Sequence, residues 1–91
     1  SALMWAIKNK KYKAAKVLIL HNANINHEDN EGTSLIHYAV HTKSLKFVKL
    51  LIDSKVDLKA KDQYGLTPLV YALKNKNKNI VDLIRNAGGE Y

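Results

Sequence analysis

His37 and His41 lie four residues apart, which is the spacing of a two-histidine metal site. Residues four apart on a helix share one face, so such a pair can hold a metal ion together. A zinc site needs three or four ligands, but no glutamate lies between the two histidines and no third ligand is obvious nearby in sequence. We therefore predict no metal site here.

The other residue types that could do chemistry form no catalytic pattern. Cysteine is absent, which excludes disulfides and thiolate metal sites. No Ser-His-Asp arrangement, glycine-rich phosphate loop or pair of catalytic carboxylates is recognisable. We predict that the chain is not an enzyme and binds no cofactor. A role as the recruitment arm of a larger multidomain enzyme stays open.

Lysine dominates the charge of the chain. The net charge of +7 comes from fourteen lysines and one arginine against eight acidic residues. Lys10, Lys43 and Lys76 are evenly spaced, and such a ridge could attract nucleic-acid phosphates or acidic lipid headgroups. Arginine, which supplies the bidentate contacts of specific base recognition, is nearly absent. The lysine ridge is therefore an alternative hypothesis, and a compositional bias toward lysine and asparagine competes with it.

The chain repeats itself with a period of 33 residues. A fixed period of this length predicts a stack of similar supersecondary units, each of which buries its apolar face on its neighbour. The alanine of the repeat is small, which lets adjacent helices approach closely. The repeated positions are Ala6, Ala39 and Ala72; Gly32 and Gly65; Asp29 and Asp62; and the aromatic residues Trp5, Tyr38 and Tyr71.

Each unit is predicted to contain two helices, because its apolar residues recur at helical spacing. The first helix follows Ser1, Ser34 or Thr67, whose hydroxyl is expected to accept an amide of the first turn. These first helices end at about Lys8, Thr42 and Lys74, and the second helices cover roughly Lys13–His21, Leu45–Ser54 and Lys78–Asn86. The turns that follow contain Asn22 and Gly88, which tolerate a left-handed backbone, and Lys55, which does so less easily.

The aromatic positions Trp5, Tyr38 and Tyr71 have two interpretations. They could form a platform on which nucleic-acid bases stack. We favour packing between adjacent first helices, with the hydroxyls and the indole N–H reaching solvent or backbone. One aromatic residue per unit at a fixed position is what stacking of units requires.

The segment from Gly65 to Ala72 resembles the signature of the ankyrin repeat, which is a glycine, one variable residue and then Thr-Pro-Leu-His-x-Ala. The match fails only at Val70, where histidine is expected. The segment from Gly32 to Ala39 keeps the glycine, the histidine at position 37 and the alanine. The resemblance implies an all-α, ankyrin-type solenoid of helix-turn-helix repeats with β-turn fingers. It also implies that the His37 ring bonds backbone between repeats.

The resemblance divides the chain into about three repeats. The first, over residues 1–28, lacks its start; the second covers residues 29–61; the third, over residues 62–91, is expected to be a C-terminal cap. The last second helix has Lys78 and Arg85 where earlier repeats have apolar residues, as a solvent-facing cap requires. We expect this module to be part of a longer intracellular chain, in the cytoplasm or the nucleus.

The function that the resemblance implies is non-catalytic binding of another protein. In such stacks the β-turn fingers and the concave face of the first helices contact partners. Tyr64 and Leu66 stand out, since they are amphipathic or apolar residues at a finger tip. The partner-binding positions expected on this basis are Lys8, Asn9, Glu28, Asn30, Glu31, Thr33, His41, Thr42, Lys61, Gln63, Tyr64, Leu66, Lys74 and Asn75.

Overall fold

The computed structural model describes all residues, 1–91, and contains six helices with no β-sheet. No predicted helix end differs from the structure by more than one residue, so the all-α repeat fold is confirmed. A single antiparallel bridge joins Glu28 to Ser34. No helix has the length and apolarity needed to cross a lipid bilayer. The helices are α1 (Ala2–Lys8), α2 (Tyr12–Leu20), α3 (Leu35–His41), α4 (Leu45–Asp53), α5 (Pro68–Lys74) and α6 (Lys78–Asn86).

The first helices begin where hydroxyl side chains or proline favour a helical start. Ser1 and Ser34 each accept a hydrogen bond from the backbone amide three residues later. The same prediction for Thr67 is wrong, because its hydroxyl donates to the carbonyl of Glu90 at 2.5 Å instead. Pro68 fits the first helical position of α5, where its missing N–H leaves no hydrogen bond unmade.

The helices stack in two layers. In the first layer α3 packs between α1 and α5, and in the second α4 packs on α6. Tyr12 of α2 meets Phe47 of α4 edge to face, with ring centroids 5.6 Å apart. The repeated alanines, Ala6, Ala39 and Ala72, are fully buried, so the first helices approach closely as predicted. The core is therefore continuous from one helix pair to the next.

Burial is uneven along the second layer. In α4 the side chains of Phe47, Val48 and Leu51 are buried, whereas in α2 only Ala15 is. Val17 of α2 is 53 % exposed.

Besides Gly32 and Gly65, left-handed backbone occurs at two equivalent places in each repeat. At the end of each second helix it falls on Asn22, Lys55 and Gly88, so Lys55 adopts this conformation, with φ 67°, despite its side chain. At the turn inside each helix pair it falls on a lysine, a residue that carries no local signal for this backbone. A side chain in this region costs roughly 1–2 kcal/mol relative to glycine. The three turn lysines are Lys10 (φ 58°), Lys43 (φ 58°) and Lys76 (φ 55°).

Candidate functional site

Two β-turn fingers project between the helix pairs: finger one is residues 28–34 and finger two is residues 61–67. In finger one, Asp29 Oδ1 accepts the amides of Glu31 and Thr33 at 2.9 and 3.0 Å. Gly32 supplies the left-handed residue that reverses the chain, with φ 75°. Finger two repeats this arrangement, with Asp62 accepting amides at the same two distances and a glycine at the same φ. Each finger is therefore closed by its own aspartate.

The second oxygen of each aspartate ties the finger to a first helix. Tyr38 of α3 donates its hydroxyl to Asp29 Oδ2 at 2.6 Å, and Tyr71 of α5 donates to Asp62 Oδ2. The two tyrosines are half-buried, as packing between helices predicts. The expectation that their hydroxyls reach solvent or backbone is wrong, because the carboxylate is nearer and is a stronger acceptor. Trp5 has no such partner and is 56 % exposed, so it does not pack between helices.

The hydrogen bond in each tyrosine–aspartate pair lowers the pKa of the aspartate and raises the pKa of the tyrosine. The hydroxyl of Tyr38 lowers the pKa of Asp29, against a smaller opposing effect of burial. Burial alone would raise the pKa of Asp62, but the bonds from Tyr71 and from two finger amides outweigh it, so this pKa is also lowered. The carboxylate acceptor raises the pKa of Tyr38, and it raises that of Tyr71 to about 12. Both aspartates are thus held as anions in fixed positions.

His37 fixes finger two against the preceding repeat. The ring is fully buried, and its Nε2 lies 2.9 Å from the carbonyl oxygen of Leu66. Because a carbonyl only accepts, Nε2 carries the proton, and Nδ1 is the acceptor for the Ser34 hydroxyl at 2.7 Å. The predicted bond from His37 to backbone of another repeat is confirmed.

His41 is exposed and lies on the ring of Tyr71, with centroids 4.8 Å apart. Partial burial lowers the pKa of His41, and the neighbouring His37 adds to this effect. No cluster of three His, Asp or Glu side chains that could hold a metal ion forms around this pair or elsewhere. His41 therefore makes an aromatic contact with Tyr71 at the surface.

The predicted partner-binding residues lie on the surface, with one clear protrusion. Tyr64 is 73 % exposed at the tip of finger two, whereas Leu66 is half-buried and its carbonyl is bonded to His37. The exposed members of the predicted set are Lys8, Asn9, Glu28, Asn30, Glu31, His41, Lys61, Gln63, Tyr64 and Lys74. The half-buried members are Thr33, Thr42, Leu66 and Asn75.

A groove at the start of α2 was not predicted from the sequence. It has a volume of about 660 Å³ and combines aromatic rings with lysines. One signal in the sequence pointed to it: residues 1–27 contain five lysines and no acidic residue. The lining residues are Trp5, Lys11, Tyr12, Lys13, Ala14, Lys16 and Lys46.

The fold and the fingers define a stacked-repeat protein, and comparison with known families agrees. The family model described as ankyrin repeats (3 copies) matches residues 3–91. The chain therefore belongs to the ankyrin-repeat family, as its resemblance to the repeat signature predicted. Members of this family are generally protein–protein interaction modules and typically non-catalytic. Comparison with curated proteins finds no match.

Proposed function

We propose that this chain binds another protein through its two fingers and the adjoining ends of α1, α3 and α5, a region called here the finger–helix surface. The observation that supports this most is Tyr64, which is 73 % exposed on a turn held by four hydrogen bonds to or from Asp62. Exposed tyrosines on rigid supports are frequent hot spots of protein interfaces.

Rigidity of the fingers favours binding. Asp62 accepts two finger amides and the Tyr71 hydroxyl, and His37 holds the carbonyl of Leu66. A partner that docks on Tyr64 therefore does not have to order the loop, a step that otherwise weakens association. Finger one has the same internal bonds around Asp29.

The two fingers differ in charge, which limits the kind of partner that fits. The exposed side chains of finger one include Glu28 and Glu31, whereas those of finger two include Lys61 beside Tyr64. A complementary partner presents a cationic group to finger one, and an apolar pocket beside an acidic group to finger two. Such opposed charges fix the orientation of a bound protein more than they add to its affinity.

Two experiments at position 64 test this proposal: crosslinking to a partner and substitution by alanine. A photo-crosslinking amino acid at position 64 is expected to capture a protein partner, and the same amino acid at Asp82, exposed on α6, is expected not to. With the captured partner, Tyr64→Ala should weaken binding about tenfold or more while the melting temperature stays unchanged. Leu20→Ala is the control, because Leu20 is 77 % exposed on α2 and belongs to neither finger. Unchanged affinity of Tyr64→Ala, or melting of the domain, contradicts the proposal.

A second candidate is the ridge of Lys10, Lys43 and Lys76 as a binder of anionic surfaces. The observation that favours it is the left-handed backbone at all three, a conformation that glycine adopts at lower cost. The lysines also project from exposed turns. Replacing all three by glycine removes the charge without straining the turns, so binding to acidic vesicles or oligonucleotides should fall while stability does not. Binding that is independent of salt contradicts this candidate.

A further inference from the structure

We propose that a row of basic residues at the ends of the three first helices, here the basic row, binds an acidic segment of a partner protein in polyproline II conformation, with a carboxylate at every third residue. The row consists of Lys8, His41 and Lys74, each in the last turn of its helix. It lies within the finger–helix surface, so this proposal rests on the proposed function and specifies the chemistry of the partner.

The basic row follows the stacking direction of the first helices. Its members are spaced by 33 residues and are exposed on α1, α3 and α5, which pack side by side in that order. Lys8 Nζ is 4.4 Å from the ring centroid of Tyr38, and Lys74 Nζ is 5.9 Å from that of Tyr71. The ring centroids of His41 and Tyr71 are 4.8 Å apart. Basic groups and half-buried aromatic rings therefore share one face of the stack.

This face is open at the middle of the stack. His41 belongs to α3, which packs against α1 on one side and against α5 on the other, and yet His41 is exposed. Its exposure is therefore independent of where the stack begins or ends. Lys8 is exposed as well, although its helix carries the next helix pair. A partner can reach the basic row from the side, without taking the place of any helix of the stack.

The positive charge of the row is available to a partner. The single ion pair of the structure joins Lys59 to Glu90, so no member of the row is paired with a carboxylate. The carboxylates of Asp29 and Asp62 are occupied by tyrosine hydroxyls and finger amides. A lysine ammonium that lies on an aromatic ring keeps other N–H donors free for an acceptor. Carboxylates of a partner are therefore the complementary groups.

The spacing of the row favours a polyproline II segment. Packed helices lie about 8–10 Å apart, which sets the distance between successive basic groups. Polyproline II has three residues per turn and rises about 3.1 Å per residue, so every third side chain returns to the same side after about 9 Å. In a β-strand every third side chain points to the opposite face. Prolines between the carboxylates also suit the tyrosine rings, since aromatic surfaces commonly receive polyproline II segments.

The acidic residues of finger one argue against nucleic acid at this place. Glu28 and Glu31 are exposed on this finger, which Tyr38 ties to α3. A polyphosphate carries a negative charge on every unit and is repelled by these carboxylates. A protein segment can place neutral or cationic side chains opposite Glu28 and Glu31 and carboxylates opposite the row. Such alternation of charge is complementary to the finger–helix surface as a whole.

His41 makes this binding dependent on pH. Burial lowers the pKa of His41, His37 on the same helix adds to this effect, and Asp62 opposes it. The other polar groups near the ring are Tyr71 and Lys74 of α5. The free protein therefore has a mostly neutral His41 at neutral pH. A carboxylate that faces the ring favours the charged form, so binding takes up a proton and becomes tighter as the pH falls.

The test uses a labelled synthetic peptide of three Glu-Pro-Pro units and measures its affinity by fluorescence polarisation. Its control has the same composition with the three glutamates adjacent, and it should bind about fivefold more weakly because its carboxylates do not match the row. Affinity for the first peptide should rise about threefold between about pH 7.5 and about pH 5.5, where the glutamates are still ionised. The NMR signals of the His41 ring should show that its pKa rises when the peptide is bound.

Variants of the row locate the binding site. Lys8→Gln combined with Lys74→Gln should weaken binding of the spaced peptide about fivefold or more. The matched control is Lys49→Gln combined with Lys78→Gln, which removes the same charge from exposed positions on second helices. This control should keep the affinity within about twofold, since distant exposed charges are screened by salt. His41→Gln should abolish the pH dependence, and His41→Lys should bind tightly at both pH values.

Four results would overturn the proposal. They are equal affinities of the two peptides, equal losses in the two double-lysine variants, a pH dependence that persists in His41→Gln, and tighter binding of oligothymidylate or of a helical acidic peptide than of the spaced peptide. Circular dichroism of each variant establishes that the helices are intact when affinities are compared.

The peptide experiment is separable from the test of the finger–helix surface. Tyr64→Ala should leave the affinity for the spaced peptide unchanged, because this peptide has no group that meets the tip of finger two. Capture of a partner by a crosslinker at position 64, together with no binding of the spaced peptide, refutes the role of the basic row and leaves the finger–helix surface standing.

Discussion

The hydroxyl of Tyr38 donates a 2.6 Å hydrogen bond to the carboxylate of Asp29, which lies nine residues earlier and also closes the turn of finger one. One side chain thus sets both the shape of the finger and its attachment to α3. The same relationship recurs between Tyr71 and Asp62. Each finger is therefore attached to the first helix that follows it. Substitution of the tyrosine measures how much this attachment contributes to stability.

Removal of the Tyr71 hydroxyl should destabilise the fold without changing its shape. Tyr71→Phe leaves the ring in place and deletes one hydrogen bond to a carboxylate, which is worth about 1–2 kcal/mol in a partly exposed setting. Urea unfolding followed by circular dichroism measures this loss. Tyr64→Phe is the control, because the exposed hydroxyl of Tyr64 makes no hydrogen bond to the protein, and it should change stability by less than about 0.5 kcal/mol.

Stability should depend on pH at both ends of the range. The pKa values of Asp29 and Asp62 are lowered in the folded protein, so these groups stabilise it above their unfolded pKa of about 3.9. That contribution is lost as the pH falls through the folded pKa. The folded pKa of Tyr71 is raised to about 12, so its contribution is present below pH 10 and is lost as the pH rises toward 12.

Urea midpoints measured across the acidic and alkaline ranges test this pH dependence. In Tyr71→Phe the alkaline loss should shrink, because the group that titrates there is gone. The acidic loss should shrink as well, because Asp62 no longer has the phenol as a hydrogen-bond donor. Identical pH profiles for the variant and the wild type would show that the tyrosine–aspartate pair does not contribute.

Glycine at position 55 should stabilise the protein. Lys55 has φ 67°, where a side chain costs about 1–2 kcal/mol, and glycine returns part of this as extra entropy of the unfolded chain. A net gain of about 0.5 kcal/mol corresponds to a rise of about 2–4 °C in melting temperature. Lys55→Ala, which keeps a Cβ atom, should show no such rise. Equal melting temperatures of the glycine and alanine variants would refute the backbone explanation.

Loss of the His37 ring should be much more costly than loss of the His41 ring. His37→Ala removes a fully buried side chain and leaves the carbonyl of Leu66 without its donor, which together should cost about 2–4 kcal/mol. His41→Ala removes an exposed ring and should cost less than about 1 kcal/mol. Hydrogen exchange should show faster opening of finger two in His37→Ala only. Similar stabilities of the two variants would contradict the assigned bond.

A charge at the contact between first helices should unfold the middle repeat. Ala39 is fully buried, so Ala39→Asp places an unpaired carboxylate in the core at a cost of about 3–5 kcal/mol. Ala2→Asp is the control, since Ala2 is exposed in the first turn of α1, where a carboxylate is favourable. Calorimetry should detect cooperative unfolding of Ala2→Asp near the wild-type temperature. An Ala39→Asp protein as stable as the wild type would contradict the burial of Ala39.

Much of the fold could be predicted from the sequence, because the positions that specify it recur in each repeat. Ala39 and its counterparts, the serine caps and the glycines of the fingers have short-range physical roles that do not depend on distant residues. Thr67 is a residue for which the local sequence predicted the wrong hydrogen bond. It has the right residue type for a cap, but the acceptor of its hydroxyl, Glu90, is brought near only by the folded chain.

The candidate site was less predictable than the fold. The aromatic position was identified, yet the partner of each tyrosine depends on how the finger returns to its helix, which spacing alone does not determine. The left-handed turn at Lys43 was missed because lysine carries no local signal for that backbone. The groove at the start of α2 was missed because Trp5, Tyr12 and Lys46, which line it, belong to three different helices that only the folded chain brings together.

The distribution of charge noted for the start of the chain has a consequence for encounters in solution. Residues 1–27 carry five lysines and no carboxylate, while all eight acidic residues lie beyond them. Positive charge is therefore unevenly distributed along the stacking direction of the molecule. The electric field of an approaching anion exerts a torque on such a molecule before contact. Collisions with such an object begin preferentially at the α1–α2 end, and added salt randomises the angle of approach.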